Sequence, residues 1–154
     1  MPTPFLSLST ASVEATQAFA ARLAPHLRAG DTLLLDGPIG AGKSTLARAL
    51  IQTLLGRAED VPSPTFTLVQ VYEAGVADIW HCDLYRLTTA GELFEIGLDE
   101  ALGTAICLIE WPDRLGDDAP ADALHIALLA GERVHSITLS GGPDWARRLG
   151  GLDD

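Results

Sequence analysis

The stretch Thr32-Leu33-Leu34-Leu35-Asp36-Gly37-Pro38-Ile39-Gly40-Ala41-Gly42-Lys43-Ser44-Thr45 decides the fold. Gly37 to Ser44 matches the phosphate-binding loop G-x-x-x-x-G-K-[ST] in full. Thr32 to Leu35 is a short apolar run fit for a buried strand, with Gly30-Asp31 before it and Gly37-Pro38 after it. From Ser44 to Leu55, apolar residues recur at helical spacing: Leu46, Ala47, Leu50, Ile51, Leu54 and Leu55. The loop therefore joins a predicted strand to a predicted helix, which is the context the motif requires.

The chemistry follows from the residue types. Gly40 and Gly42 let the backbone curl so that its N–H groups converge on an anion. The helix N-terminus adds a partial positive charge and unpaired donors. Lys43 would reach the β- and γ-phosphates of a nucleotide, and the Ser44 hydroxyl would ligate Mg²⁺ with Thr45 beside it. Lys43 is the only lysine among ten basic residues. A compact ammonium kept at this one position, in a chain that otherwise uses arginine, suits a phosphate.

Composition bounds the rest. A chain of 154 residues is one domain of ordinary size, here residues 1–154. Such a chain buries roughly 70% of its unfolded surface. No apolar run is long enough to span a membrane, and no basic-then-apolar leader opens the sequence, so a cytoplasmic location is expected. Net charge is −11 and the isoelectric point about 4.6, which argues against a direct electrostatic grip on nucleic acid. An acidic surface also fits a basic patch on a protein partner. Cys82 and Cys107 sit in predicted core strands and read as small buried hydrophobes, not as a disulfide or a metal site.

Further elements can be placed by pattern. Phe5 to Leu8 predicts a first strand, and Ser9, Thr10 and Ser12 are candidate caps for a helix that Pro25 bends or ends. Val61 to Thr65 is a proline-stiffened extended segment. Phe66 to Tyr72 and Val76 to Asp83 predict paired strands. Thr89 to Glu92 has capping-box spacing and opens a short helix that Gly97 stops. Ala105 to Ile109 predicts another buried strand, followed by a polar loop from Pro112 to Pro120. A hairpin over 123–139, a short helix after Pro143 and a loose acidic tail complete the chain. The expected fold is a three-layer α/β domain of the P-loop NTPase type. Its sheet is mixed and mainly parallel, with a C-terminal β-hairpin.

A phosphate loop needs an acidic partner for Mg²⁺, usually at the end of a buried strand. Asp83 and Glu110 each end an apolar run, and an open α/β sheet delivers strand ends to one crevice.

At these residues the chain resembles the bacterial TsaE (YjeE) family, the ATPases of tRNA threonylcarbamoyladenosine (t6A) biosynthesis. Five blocks carry the likeness, in the family's order, across about residues 37 to 112. They are Gly37 to Thr45; Ser63 to Thr67; His81-Cys82-Asp83-Leu84-Tyr85-Arg86, which fits H-x-D-x-Y-R; Glu95 to Leu98; and Ile109-Glu110-Trp111-Pro112, which fits the family's E-W pair. Ser44 stands where threonine is common, a chemically equivalent hydroxyl. The resemblance implies ATP and Mg²⁺ as cofactors, ADP as product, and the TsaD and TsaB proteins as partners in modifying tRNA adenosine 37. It implies a nucleotide cradle from Gly37, Pro38, Ile39, Gly40, Ala41, Gly42, Lys43, Ser44 and Thr45, with Trp111 packed near the nucleotide or on a partner surface. It gives Thr65 a hydroxyl near Mg²⁺ or the γ-phosphate. Asp83 and Glu110 become the carboxylates around the metal and the attacking water, without saying which does which. His81 suits a structural hydrogen bond, while Tyr85 and Arg86 would shape the site or the partner contact.

Two other functions fit a phosphate loop. A small-molecule kinase needs an acceptor pocket and an arginine-bearing lid, and no arginine-rich insertion is present. A nucleotide-binding regulatory module without turnover needs the same cradle. The chain contains no asparagine, which argues against a GTPase that reads guanine through an Asn-Lys-x-Asp element.

Overall fold

The computed structural model describes residues 3–38, 41–56, 69–75, 77–85 and 97–152, with only the backbone at 117 and 118. Seven strands form one sheet: β1 (Thr3–Thr10), β2 (Thr32–Asp36), β3 (Val69–Glu73), β4 (Asp78–Asp83), β5 (Ile106–Glu110), β6 (Leu124–Ala130) and β7 (His135–Gly141). Their spatial order is β1-β7-β6-β2-β5-β4-β3. The four central strands β6, β2, β5 and β4 run parallel, and antiparallel pairs flank them, β6 with β7, β7 with β1 and β4 with β3. The sheet is mixed, as the two predicted hairpins require.

β2 explains how the layers arise. Parallel central strands are covered on both faces and so read as continuous apolar runs, and Thr32 to Leu35 are all buried. Side chains alternate along a strand. Leu33 and Leu35 enter the larger core with α1 (Val13–Leu23), α2 (Lys43–Leu55) and Trp145 of α4 (Pro143–Arg148). Leu34 enters a second core on the opposite face, with Leu98 and Ala101 of α3 (Leu98–Ala101) and Leu115. Cys82 and Cys107 are buried, unpaired members of that second core.

Several sequence expectations shift. Ser12 alone caps α1, its hydroxyl accepting from Ala15 N at 3.0 Å, while Ser9 and Thr10 belong to β1. Pro25 sits in a single 3₁₀ turn, Ala24–His26, that ends the helix. The predicted polar loop after β5 is coiled into 3₁₀ turns over Pro112–Asp118, broken at Gly116 and pinned by buried Leu115. The one-turn helix α3 has too few residues for a periodic signal; Gly97, predicted as a stop, takes φ 83° immediately before it. The expected loose tail is anchored through Leu149 and Leu152, both buried in the larger core. Expected structure at 57–68, the helix from Thr89 and residues 153–154 lie outside the described residues. Among those described, no helix is long and apolar enough to cross a membrane.

Candidate functional site

The site is built at the C-terminal ends of β2, β4 and β5. β2 delivers Asp36, whose carboxylate accepts from Gly37 N at 2.9 Å. Gly37 has φ 150°, and a Cβ there would lie 2.4 Å from the Leu128 carbonyl oxygen, so only glycine fits beneath β6. The chain turns through Pro38, whose carbonyl accepts from Ala41 N at 3.2 Å. Gly42, at φ 100°, then starts α2, and no described side chain caps that helix. Its first turn faces the site.

Strand parity places the acidic groups. Ile106 and Leu108 of β5 face α2, so Glu110, two further on, does too. Asp83 is the register partner of Glu110, and His81 is that of Leu108. The Ser44 hydroxyl donates to Glu110 Oε1 at 3.1 Å, with Oε2 at 3.4 Å. Glu110 Oε2 lies 2.7 Å from His81 Nε2, and both residues are almost wholly buried. Asp83 remains partly exposed and accepts from Tyr85 N at 3.1 Å. Burial holds the Asp83 carboxyl above the usual aspartate range; the Tyr85 N–H pulls it back down and the Glu110 charge pushes it further up.

Lys43 is 5% exposed, its ammonium bonded to the Gly37 carbonyl and held 3.5 Å from the centre of the Trp111 ring. Burial lowers its proton affinity, and the carboxylates of Glu110, Asp36, Asp83 and Asp113 partly restore it. Trp111 is the one described non-glycine residue with positive φ, at 60°. That turn lays its ring over Lys43 and against Tyr85, with ring centres 5.0 Å apart.

A recess of about 270 Å³ opens beside the loop, lined by Thr10, Ser12, Val13, Gly42, Thr45, Glu132, Arg133 and His135. His135 Nδ1 lies 3.0 Å from the Ala41 carbonyl oxygen, tying the β6–β7 hairpin to the phosphate loop. The larger recess, about 700 Å³ around Phe5, His125 and Pro143, shares no residue with the loop. Its lining lacks the convergent charged groups gathered at Lys43. Sequence reading did not place Arg133 or His135 here, nor give Thr10 and Ser12 any role beyond capping. No local pattern signals a hairpin folding back beside a distant loop.

The structure thus brings together Gly37, Pro38, Ala41, Gly42, Lys43, Ser44, Thr45, Asp83, Glu110 and Trp111. Ile39, Gly40, Thr65 and Arg86 lie outside the described residues. Ser44, Asp83 and Glu110 offer hard oxygen donors, the chemistry Mg²⁺ requires. Among the described residues no cluster of three or more His, Cys, Asp or Glu forms a self-sufficient metal cage.

The model of the family described as "Threonylcarbamoyl adenosine biosynthesis protein TsaE" matches residues 10–137. The chain belongs to the TsaE family. It is similar to the tRNA threonylcarbamoyladenosine biosynthesis protein TsaE of Rickettsia bellii (strain RML369-C), 38% identical over 117 residues, 76% of this chain and 81% of that protein. The Bacillus subtilis (strain 168) protein of the same description is 36% identical over 137 residues, 88% of this chain and 85% of its own. The fold matches the crystal structure of Bacillus subtilis YdiB with a TM-score of 0.81 at 31% identity, covering 99% of this chain and 95% of that one. The TsaE likeness expected from five sequence blocks is thereby established, and so is the α/β fold.

Proposed function

We propose that this TsaE-family chain is a Mg²⁺-dependent ATP hydrolase that serves tRNA t6A37 biosynthesis through nucleotide-dependent binding to a TsaB–TsaD complex. The Ser44–Glu110 hydrogen bond carries the proposal. It joins the hydroxyl of the phosphate loop to the carboxylate of a neighbouring strand, the pair that P-loop hydrolases use around a magnesium ion.

Lys43 leaves the Gly37 carbonyl and the Trp111 face to bind the β- and γ-phosphates. Thr45 and Gly42 belong to both loop and recess, so a phosphate chain seated on the loop runs toward the recess with its nucleoside end. Ser44 and Glu110 would hold the metal ion between them. When bound, Mg²⁺ would supply charge neutralisation for the phosphates. Asp83, wetter than Glu110 and with raised proton affinity, orients the attacking water and takes its proton as the water oxygen bonds to the γ-phosphorus. The bond from that phosphorus to the β–γ bridging oxygen breaks, and ADP leaves with the electron pair. Thr65 is assigned its hydroxyl role beside the γ-phosphate from the family resemblance.

ATP turnover by the purified chain tests this. Asp83→Ala and Glu110→Ala should each lower turnover by about 10²-fold or more, in line with loss of general-base or charge-stabilising groups. Nucleotide affinity in EDTA should change little. Parental turnover in both variants would place the active site elsewhere. Rapid phosphorylation of a small metabolite would favour a kinase, and tight ATP binding with no turnover, even with partners, a regulatory module.

A further inference from the structure

We propose that His81 is a positioning residue for the metal-facing carboxylate: it holds Glu110 Oε2 so that Oε1 is presented to Ser44 and to the metal. The inference rests on the proposed metal site. His81 precedes Asp83 by two residues on β4 and shares its face, and its register partner Leu108 precedes Glu110 by two. The imidazole therefore lies diagonal to Glu110 across the β4–β5 pair, within reach of a long side chain. The contact is 2.7 Å. A glutamate carboxylate otherwise turns freely about its last torsion. Fixing Oε2 on His81 and Oε1 on Ser44 leaves it one plane.

The ring's other nitrogen favours this role over simple packing. His81 is 1% exposed, and Nδ1 is buried with no hydrogen-bond partner among the described residues. An apolar side chain would fill the same space without a stranded polar atom. What the imidazole adds is one donor, Nε2–H, aimed at Glu110. With Nε2 engaged by Glu110, Nδ1 stays without a partner among the described residues, so the ring's one polar contact is with that carboxylate. Partners that orient a metal-binding side chain typically govern metal affinity 10- to 100-fold.

Two near-isosteric variants separate positioning from packing. The amide nitrogen of His81→Gln reaches as far as Nε2 and can donate to Glu110, whereas that of His81→Asn stops short, near the Nδ1 position. Mn²⁺ affinity in the presence of ADP is read from the electron paramagnetic resonance signal of free Mn²⁺. His81→Asn should weaken it about 10- to 100-fold, while His81→Gln stays within about threefold of the parent. ADP affinity in EDTA should stay within about twofold in both, since His81 touches no phosphate donor. If the asparagine variant does not fold, His81→Leu takes its place with the same expected loss. Equal Mn²⁺ affinity in the two variants, whether kept or lost, overturns the proposal. Glu110→Gln in the same assay isolates the underlying site. If it binds Mn²⁺ like the parent, the metal assignment itself fails and the role of His81 falls with it. If it loses Mn²⁺ while the two His81 variants agree, only the positioning role fails.

Discussion

Lys43 holds a buried ammonium whose partners are a carbonyl and an indole face. Both are weaker acceptors than a phosphate oxygen, so a bound triphosphate should displace them. Lys43→Ala should lower ATP affinity about 10- to 150-fold, the effect of losing a charge-assisted bond worth roughly 1.5–3 kcal/mol. Calorimetric titration measures it, with a thermal melt to show the fold intact. Burial also depresses the proton affinity of Lys43 below that of an ordinary lysine, so more of its amine is neutral at a given pH. An amine-reactive ATP analogue should therefore modify Lys43 at lower pH than a free lysine, with labelling rising as pH rises. Being the chain's only lysine, its modification is unambiguous by mass spectrometry. Labelling that excess ATP does not suppress would contradict the phosphate role. Lys43, Ser44, Asp83 and Glu110 were legible in the sequence because each sits at a junction the pattern marks, a loop entering a helix or an apolar run ending in a carboxylate. The contacts of His81 with Glu110 and His135 with Ala41 were not, because they join residues 29 and 94 positions apart.

Elements set the precision of the loop. β2 and β5 were readable as buried strands, since both are covered on two faces and carry no polar interruption. The one-turn α3 and the 3₁₀ turns after β5 were not, because a single turn repeats nothing. Gly37 is where β2 hands over to the loop beneath β6. A side chain there meets the Leu128 carbonyl and an unfavourable φ together. Gly37→Ala should cost about 2 kcal/mol or more in unfolding free energy and weaken ADP binding. A urea midpoint and ADP affinity equal to the parent's would show that β6 does not constrain the loop. Arg148 serves the opposite end of the sheet. It grips Asp31 with two nitrogens at 2.7 and 3.2 Å, donates to the His26 carbonyl and lies 4.2 Å from the centre of the Trp145 ring. Arg148→Lys keeps the charge but loses the planar fork and the stacking. It should lower stability by about 1–2 kcal/mol while leaving ATP turnover unchanged, because no residue of the proposed site touches it.

At the scale of the molecule, strand order decides which ends meet. Asp36, Asp83 and Glu110 each close a parallel central strand, so the sheet gathers them at one edge beside α2. The sequence marked the strands but not that β7 would lie between β6 and β1; that pairing is long-range and leaves no local trace. Under the proposed function, hydrolysis moves another protein. Ser63 to Thr67, beside the γ-phosphate in the family resemblance, is the segment proposed to respond, since such segments order with triphosphate and relax with diphosphate. The tilted Tyr85–Trp111 pair lies next to Lys43, and Tyr85 is half exposed, so a change at Lys43 has a short path to the surface. The net charge of −11 favours a basic docking face. Association with TsaB–TsaD should therefore be tighter with a non-hydrolysable ATP analogue than with ADP. It should weaken as salt rises above about 0.1 M, where the screening length falls below about 10 Å. Surface-immobilised TsaB–TsaD, titrated with the chain under each nucleotide and at several salt concentrations, reads both dependences in one series. Equal binding with ATP analogue, ADP and no nucleotide would separate the partner surface from the phosphate loop and remove hydrolysis as the switch.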